Sequence, residues 1–184
     1  MRNVILSMAV SLDGYIESTN RDISWHVWDA DMQEYMSDFL ETVDTLLYGR
    51  TVYELMINHW PAAENAGGNT AEDRAFAQKM NKLNKIVFSR TLNKVTWNAR
   101  LVKEKAVEEL LRLKREPGKD MVLFGGANIA ETFMRNGVID EYRLIVNPVV
   151  LGSGNRLFKT EIRGLTHVKT KGFNCGNVLL IYHR

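Results

Sequence analysis

Short runs of apolar residues recur along the chain, and each run stops at a polar or glycine-rich segment. A short, continuous apolar run bounded in this way is typical of a strand that is buried on both faces of a sheet. The pattern predicts buried strands over residues 4–10, 45–48, 86–88 and 121–124.

Between these runs, apolar residues return at helical spacing, which places them on one face of a helix. Strands that alternate with helices favour an α/β fold, with a mostly parallel sheet covered by helices on both faces. The apolar positions that define the predicted helices are Met32, Tyr35, Met36, Phe39 and Leu40, then Val107, Leu110, Leu111 and Leu113, and then Ile129, Ala130, Phe133 and Met134.

The last third of the chain has a different pattern. Residues 142–151 form a long strand candidate, and two shorter candidates follow at 166–172 and 178–182, with a turn at 174–177 between them. Two strands joined by a short turn predict a hairpin, which adds an antiparallel edge to the parallel sheet. The long strand and the hairpin also offer an apolar edge, so we expect the protein to be a homodimer.

Composition and charge are those of an ordinary globular protein. The 184 residues include 45% apolar and 25% charged side chains, and the formal net charge is only +2. This length suits a single domain over residues 1–184. So small a charge argues against a nucleic-acid partner, because nucleic-acid binding usually leaves a dense basic stripe.

The cysteine and histidine content and the first apolar run bear on disulfides, cellular location and metal binding. Cys175 is the only cysteine, which excludes an internal disulfide and fits a cytoplasmic protein. The apolar run at 4–10 is too short to span a membrane, and no cleavage site of small residues follows it. The four histidines are scattered without carboxylates or cysteines at metal-ligand spacing, so we expect no metal site.

Glycine, hydroxyl and guanidinium groups follow three of the predicted strands. In an open α/β sheet, ligands bind beyond the carboxyl ends of the parallel strands. Glycines let the backbone approach a phosphate closely, and the helix start that follows offers unpaired N–H groups. We infer a phosphate-binding rim, with plain tight turns and a simple Thr51 helix cap as the alternative. The segments are Gly49-Arg50-Thr51, Ser89-Arg90-Thr91 and Gly125-Gly126-Ala127-Asn128.

The arginines of this rim point to one type of ligand. Arg50 and Arg90 can each hold a phosphate group through paired hydrogen bonds. Two such sites on one rim suit a pyrophosphate together with a ribose 2′-phosphate, which favours NADPH over NADH.

Asp29 and Asp31 flank the start of the first predicted helix and allow two interpretations. Asp31 with Glu34 matches a capping box, which would give the aspartate a structural role. Alternatively, one of the two carboxylates faces the ring nitrogens of a substrate and assists in its protonation.

Aromatic residues are the candidate contacts for such a ring. Trp25, Trp28 and Trp60, together with Tyr53, offer flat apolar faces that suit a heterocycle. Packing in the core or in a lid is the alternative interpretation of the same side chains.

Motifs at strand ends and turns are spread over nearly the whole chain. They are Ser7-Met8-Ala9-Val10-Ser11-Leu12-Asp13-Gly14-Tyr15-Ile16, Leu47-Tyr48-Gly49-Arg50-Thr51-Val52-Tyr53-Glu54, Val87-Phe88-Ser89-Arg90, Leu123-Phe124-Gly125-Gly126-Ala127-Asn128, Val138-Ile139-Asp140-Glu141-Tyr142 and Pro148-Val149-Val150-Leu151-Gly152-Ser153-Gly154. In this order and spacing they resemble the dihydrofolate reductase-like superfamily. Within it, the chain is most similar to stand-alone relatives of the riboflavin-biosynthesis reductase domain.

The resemblance implies a three-layer αβα fold, with NADPH lying across the carboxyl ends of a mostly parallel sheet of about eight strands. It implies that the nicotinamide is lined by Ala9 and by the loop through Asp13, Gly14 and Ile16. The candidate catalytic acids are Asp31, Asp29 and Asp13. The residues expected to hold the phosphates and the adenosine end are Gly49, Arg50, Thr51, Ser89, Arg90, Gly125, Gly126, Ala127 and Asn128.

One family feature does not carry over to this sequence. Dihydrofolate reductases place an acidic residue a fixed distance after a tryptophan that resembles Trp25. In this sequence, the residue at that distance after Trp25 is Ala30, which lies between Asp29 and Asp31. The residue at the corresponding distance before Gly49 is Gln33.

The resemblance therefore implies a hydride transfer but leaves its substrate open. The main hypothesis is an NADPH-dependent reductase that acts on a small pterin-like or aminopyrimidine-like heterocycle. A non-catalytic NADPH-binding module of the same fold is the second hypothesis. A flavin-dependent reductase is the third.

Overall fold

The computed structural model describes residues 1–184 as an α/β fold of ten strands and five helices. The strands are β1 (Val4–Ser11), β2 (Tyr15–Glu17), β3 (Val43–Gly49), β4 (Asn84–Phe88), β5 (Ala99–Val102), β6 (Asp120–Gly125), β7 (Glu141–Asn147), β8 (Asn155–Arg156), β9 (Thr166–Gly172) and β10 (Val178–His183). The helices are α1 (Ala30–Glu41), α2 (Arg50–Ala63), α3 (Ala71–Lys82), α4 (Ala106–Lys114) and α5 (Ala127–Arg135).

Eight of the strands form one sheet in the order β5-β4-β3-β6-β1-β7-β10-β9. The first six of these run parallel, β10 pairs antiparallel with β7, and β9 pairs antiparallel with β10. This arrangement confirms the predicted mostly parallel sheet with a C-terminal antiparallel hairpin. The two remaining strands, β2 and β8, form a small separate ribbon.

The sheet separates two apolar cores, because successive side chains of a strand point to opposite faces. On one face, Leu6 packs with residues of α4 and α5, such as Leu110 and Phe133. On the other face, Ile5 packs with residues of α1, α2 and α3, such as Met36. The inner parallel strands β1, β3, β4 and β6 therefore bury both faces, which explains their nearly continuous apolar sequences.

Several elements differ from the sequence-based predictions, among them β7 and α3, and the short strands β2, β5 and β8 were not predicted. Strand β7 ends at Asn147 rather than at residue 151, because Pro148 has no N–H to donate to the ladder. Helix α3 was missed by the apolar pattern, since only Phe76, Ala77 and Met80 of its residues are buried.

The expected apolar edge is also wrong. Strand β7 lies inside the sheet, between β1 and β10, and the outer strand is β9. Strand β9 is exposed along most of its length and carries Lys169 and Lys171. Charged side chains of this kind discourage edge-to-edge pairing, so the edge gives no reason to expect a dimer.

Candidate functional site

A cleft of about 670 Å³ opens at the carboxyl ends of the parallel strands. Its lining includes Met8 and Ala9 of β1, Phe88 of β4 and Phe124 of β6. Together with β3, which lies between β4 and β6, these strands are neighbours and run in the same direction, so their ends meet on one rim. The fold therefore brings together segments that lie more than a hundred residues apart in the sequence.

Two glycine turns form the centre of this rim. A Cβ atom added at Gly126 would lie 2.8 Å from the Gly49 Cα, so the two backbones touch. Gly125 and Gly126 have φ values of 144° and 103°, which side chains rarely adopt. Glycine is required at Gly126 for both reasons, and the close approach joins the turn after β3 to the turn after β6.

Two helices begin at these turns and leave their first N–H groups without side-chain caps. Gly49 is the N-cap of α2 and Gly126 is the N-cap of α5, and neither position has a side-chain cap hydrogen bond. The first N–H groups of a helix have no partner within the helix, and they carry partial positive charge. Thr51 lies two residues inside the cap position, so its predicted capping role is wrong.

Most of the other predicted rim residues line the cleft, but Arg90 does not. Arg50, Thr51 and Ser89 line the cleft, as do Ala127 and Asn128. The exposed Arg50 guanidinium approaches Glu54 at 3.4 Å. The Ser89 hydroxyl accepts hydrogen bonds from the backbone of the turn after β4. Arg90 is exposed beside Ser89 and does not line the cleft.

Asp13 connects the turn after β1 to the loop after β7 through hydrogen bonds. Its carboxylate accepts a hydrogen bond from the Ser11 hydroxyl at 2.7 Å and from the Gly152 N–H at 2.8 Å. The Leu151 N–H donates to the same carboxylate at 3.1 Å. The Ser11 hydrogen bond is the main reason that the pKa of Asp13 falls to about 2, with help from the backbone donors. Asp13 and Gly14 do not line the cleft, whereas Ala9 and Ile16 do.

The two candidate aspartates at the start of α1 lie outside the cleft lining. Asp29, not Asp31, is the N-cap of α1, and it accepts a hydrogen bond from the Met32 N–H at 2.8 Å. Its second oxygen accepts from the Cys175 N–H at 2.7 Å. Asp31 pairs with Lys171 at 2.7 Å. The predicted capping box of Asp31 is therefore wrong, and neither aspartate lines the cleft.

The candidate aromatic residues lie outside the cleft. Trp28 and Trp60 line a separate cavity of about 640 Å³ with Phe76, between α1, α2 and α3. Tyr53 is buried, and its hydroxyl both donates to the Thr96 carbonyl and accepts from the Thr96 N–H. Trp25 packs edge-on against His26, with 4.3 Å between the ring centroids.

The end of β2 and the segment after it supply cleft residues that sequence reasoning missed. Glu17, Arg21, Ile23 and His26 line the same cleft as the glycine turns. Partial desolvation lowers the pKa of His26, while the nearby Asp22 carboxylate opposes that shift. No local sequence signal marks these residues, because only the path of the loop brings them to the cleft.

The cleft combines an apolar interior with hydrogen-bond donors at its rim. Met8 and Phe124 contribute to the apolar part, and the helix N-termini place hydrogen-bond donors with partial positive charge at the rim, where Arg50 lies beside Glu54. No cluster of three His, Cys, Asp or Glu side chains occurs in the protein. The arrangement suits a ligand that has a flat ring at one end and phosphate groups at the other.

No helix of the protein has both the length and the apolar content that a membrane-spanning segment needs.

Sequence comparison finds a family and a curated relative for this chain. The model of the RibD C-terminal domain family matches residues 2–179. The uncharacterized protein YyaP of Bacillus subtilis (strain 168) is 39% identical over 185 residues, which cover 99% of this chain and 95% of YyaP.

Structure comparison finds the same fold in two solved enzymes. The Thermotoga maritima diaminohydroxyphosphoribosylaminopyrimidine deaminase/5-amino-6-(5-phosphoribosylamino)uracil reductase superposes with a TM-score of 0.68 at 16% identity, over 99% of this chain and 56% of the longer enzyme. Dihydrofolate reductase from Enterococcus faecalis, complexed with NADP(H) and RAB-propyl, also gives a TM-score of 0.68, at 15% identity over 99% of this chain and 96% of that enzyme. These likenesses establish a dihydrofolate reductase-like fold.

Proposed function

Because the chain belongs to the RibD C-terminal domain family, we propose that it is an NADPH-dependent reductase. In this proposal, the protein transfers a hydride to a small pterin-like or aminopyrimidine-like heterocycle. The observation that carries the proposal is the meeting of two helix N-termini, at Gly49 and Gly126, over one cleft. The names of the similar enzymes agree with it, since one is a uracil reductase and the other was complexed with NADP(H).

The glycine turns fit the phosphates of a dinucleotide. Their backbones leave room for close approach, and the N–H groups at the starts of α2 and α5 would hold the pyrophosphate. Arg50 would bind a phosphate from the side of α2. Ser89 would meet the adenosine end, and Arg90, which is exposed beside it, would contact a 2′-phosphate.

The inner part of the cleft would hold the two reacting rings. When bound, NADPH supplies the hydride. Ala9 and Ile16 would line the nicotinamide, and Met8 with Phe124 would exclude water from the reacting face. Asp13 would keep the adjoining loop in place through its contacts to Leu151 and Gly152.

We assign the proton relay to His26 rather than to Asp29 or Asp31. His26 lines the cleft, whereas the two aspartates are engaged by Met32, Cys175 and Lys171 outside it. An imidazole exchanges protons readily near neutral pH. His26 would therefore deliver a solvent proton to the reduced ring.

Fluorescence titration with NADPH and NADH tests cofactor binding. Arg50→Ala should weaken the binding of both cofactors by about tenfold, because it removes a charged phosphate contact. Arg90→Ala should weaken NADPH alone, because only NADPH carries a 2′-phosphate. Arg163→Ala, at an exposed site paired only with Glu161, is the control. Failure of the wild-type protein to bind NADPH would overturn the proposal.

A second candidate function is a binding module without turnover. It is favoured by one observation, the absence of Asp29 and Asp31 from the cleft. NADPH consumption measured with dihydrofolate and with flavin-pathway aminopyrimidines separates the two functions. Tight NADPH binding with no consumption by any of these compounds would favour the module, and a yellow purified protein would favour a flavin enzyme.

A further inference from the structure

The loop that carries His26 into the cleft is attached to the sheet directly after that residue, at Val27. The Val27 N–H donates to the Asn147 Oδ1 at 3.0 Å, and the Asn177 Nδ2 donates to the Val27 carbonyl at 2.8 Å. We propose that Asn147 and Asn177 are positioning residues for His26, because they fix both backbone groups of the next residue. Their effect on turnover rests on the proposed function, whereas their effect on the position of His26 does not.

The two asparagines lie opposite each other at the ends of neighbouring strands. Asn147 is the last residue of β7, and Asn177 directly precedes β10. The ladder between these strands pairs Val146 with Val178, so the next pair outwards is Asn147 with Asn177. Each asparagine is only 1% exposed. Two buried amides from adjacent strands therefore hold one loop residue, Val27, by its donor and its acceptor.

The part of the loop before Val27 has no hydrogen bond to the rest of the protein. Residues 18–26 form hydrogen bonds only among themselves, such as the one from the His26 N–H to the Ile23 carbonyl at 3.0 Å. No hydrogen bond holds the His26 imidazole, which packs edge-on against Trp25. The imidazole therefore takes its position from the loop backbone, and the first point at which that backbone is fixed is Val27.

The Asn177 amide is only partly satisfied by its surroundings. Its Oδ1 is buried and has no hydrogen-bond partner, which is unfavourable for a polar atom. Besides the Val27 carbonyl, its Nδ2 contacts only the Met32 sulfur, a weak acceptor, at 3.4 Å. An apolar side chain of similar size would avoid the unpaired oxygen but could not hold the Val27 carbonyl. The bond to Val27 is therefore the feature that distinguishes an asparagine from a leucine at this position.

NMR titration of His26 tests the positioning without any cofactor. Partial burial lowers the pKa of His26 in the wild type. In Asn177→Leu the loop should move into water, so this pKa should rise towards about 6.5, the ordinary value of histidine. A folded Asn177→Leu protein with an unchanged His26 pKa would overturn the proposal. The charged groups beside His26 or in the same cleft keep their charge from about pH 5.5 to about pH 8 and cannot cause the shift; they are Asp22, Glu17, Arg21, Arg50 and Glu54.

Asn81→Leu is the matched control for the loss of an amide. The Asn81 Nδ2 donates to the Trp60 carbonyl at 3.2 Å, and its Oδ1 accepts from the Trp97 Nε1 at 2.8 Å. Asn81 does not line the cleft. Asn81→Leu should therefore lose stability but keep the wild-type pKa of His26. A similar pKa change in this control would show that general loosening of the fold, rather than release of Val27, moves His26.

Steady-state kinetics of NADPH consumption extends the test to turnover. Asn177→Leu should lower kcat at least about tenfold and leave NADPH affinity nearly unchanged, because the glycine turns at Gly49 and Gly126 stay intact. In a His26→Gln background the same substitution should have almost no further effect, since it acts through His26. Equal losses in both backgrounds would contradict the positioning role. If the wild type consumes no NADPH, the reductase proposal fails, and the NMR titration still decides whether the asparagines position His26.

A second variant and a wild-type measurement keep the test decisive if Asn177→Leu does not fold. Asn147→Ser shortens the acceptor on the other side of Val27, so it should raise the His26 pKa in the same way. In the wild type, the Val27 N–H should exchange with solvent at least about tenfold more slowly than the Trp25 N–H, which has no acceptor. Equal exchange rates at Val27 and Trp25 would show that the asparagines do not hold the loop.

Discussion

The glycines of the rim show how single residues set the shape of the cleft. Gly49 and Gly126 let two strand-to-helix turns touch, with only 2.8 Å between a hypothetical Gly126 Cβ and the Gly49 Cα. Any side chain at Gly126 would push β3 and β6 apart at their carboxyl ends. The same shift would move the starts of α2 and α5, which carry the proposed phosphate donors.

Gly126→Ala should destabilise the fold and abolish cofactor binding together. The φ of 103° and the contact with Gly49 should cost about 2–4 kcal/mol of unfolding free energy. Gly67→Ala is the matched control, because no atom lies within 4 Å of the added Cβ and its φ is ordinary. Urea unfolding and NADPH titration of both variants measure the effect. A Gly126→Ala protein as stable as the control would refute the argument.

Asp13 is a second single residue with a large role, because its negative charge stabilises the fold. Its pKa is lowered from 3.8 to about 2, chiefly by the Ser11 hydroxyl, so the ionised form favours the folded state. A lowered pKa means that the stabilisation is complete above about pH 4 and disappears as the pH falls towards 2.

Asp13→Asn should therefore lower the melting temperature at neutral pH. The difference from the wild type should shrink between about pH 4 and pH 2, where the wild-type carboxyl gains its proton. Asp38→Asn, on the exposed face of α1, serves as the control. If the difference in melting temperature stays constant over this pH range, the negative charge of Asp13 does not contribute to stability.

At the scale of elements, the start of α1 shows how two aspartates that are close in sequence have different structural partners. Asp29 caps the helix and also binds the turn between β9 and β10 through the Cys175 N–H. Asp31 is partly exposed and pairs with Lys171 of β9. Both carboxylates therefore connect α1 to the C-terminal hairpin.

Asp29→Ala should cost about 1–2 kcal/mol of unfolding free energy, because the helix loses its cap and the turn loses an acceptor. Asp31→Ala should cost less than about 1 kcal/mol, as expected for an ion pair near the surface. Chemical denaturation ranks the two variants. If Asp31→Ala folds normally but loses all NADPH consumption, Asp31 faces the substrate and our assignment of His26 fails.

At the scale of the whole molecule, the sheet has a polar outer strand at its C-terminal end. The exposed strand β9 carries Lys169 and Lys171, and β7 lies two strands inside it. A dimer built on an apolar β7 edge is therefore impossible in this fold. Any dimer must use another surface, such as the exposed faces of the helices.

We still predict a homodimer, because the resemblance to stand-alone relatives of the riboflavin-biosynthesis reductase domain also implies one. Gel filtration with light scattering at micromolar concentration should give twice the chain mass of 21.1 kDa. Lys169→Glu should leave this mass unchanged, because we do not expect the exposed, charged β9 edge to form the interface. A monomer mass for the wild type would contradict the prediction. Loss of the dimer in Lys169→Glu would instead place the interface at the β9 edge.

Much of the fold could be predicted from local sequence signals. The apolar runs of β1, β3, β4 and β6 and the hairpin of β9 and β10 lie close to their predicted places. Helix α3 and strand β5 escaped prediction because few of their residues are buried. Thr70 and Asp73 form a capping box that marks the start of α3 in the sequence.

By itself, the sequence determined the alternation of strands and helices and the glycine turns at the strand ends. These features depend on backbone conformation and on side-chain periodicity, which neighbouring residues set. Only the tertiary structure decided which side chains reach the cleft. Asp29 is held by the Cys175 N–H, 146 positions away, and His26 reaches the cleft through the path of a loop. Such contacts depend on how distant segments pack, and no local pattern encodes them.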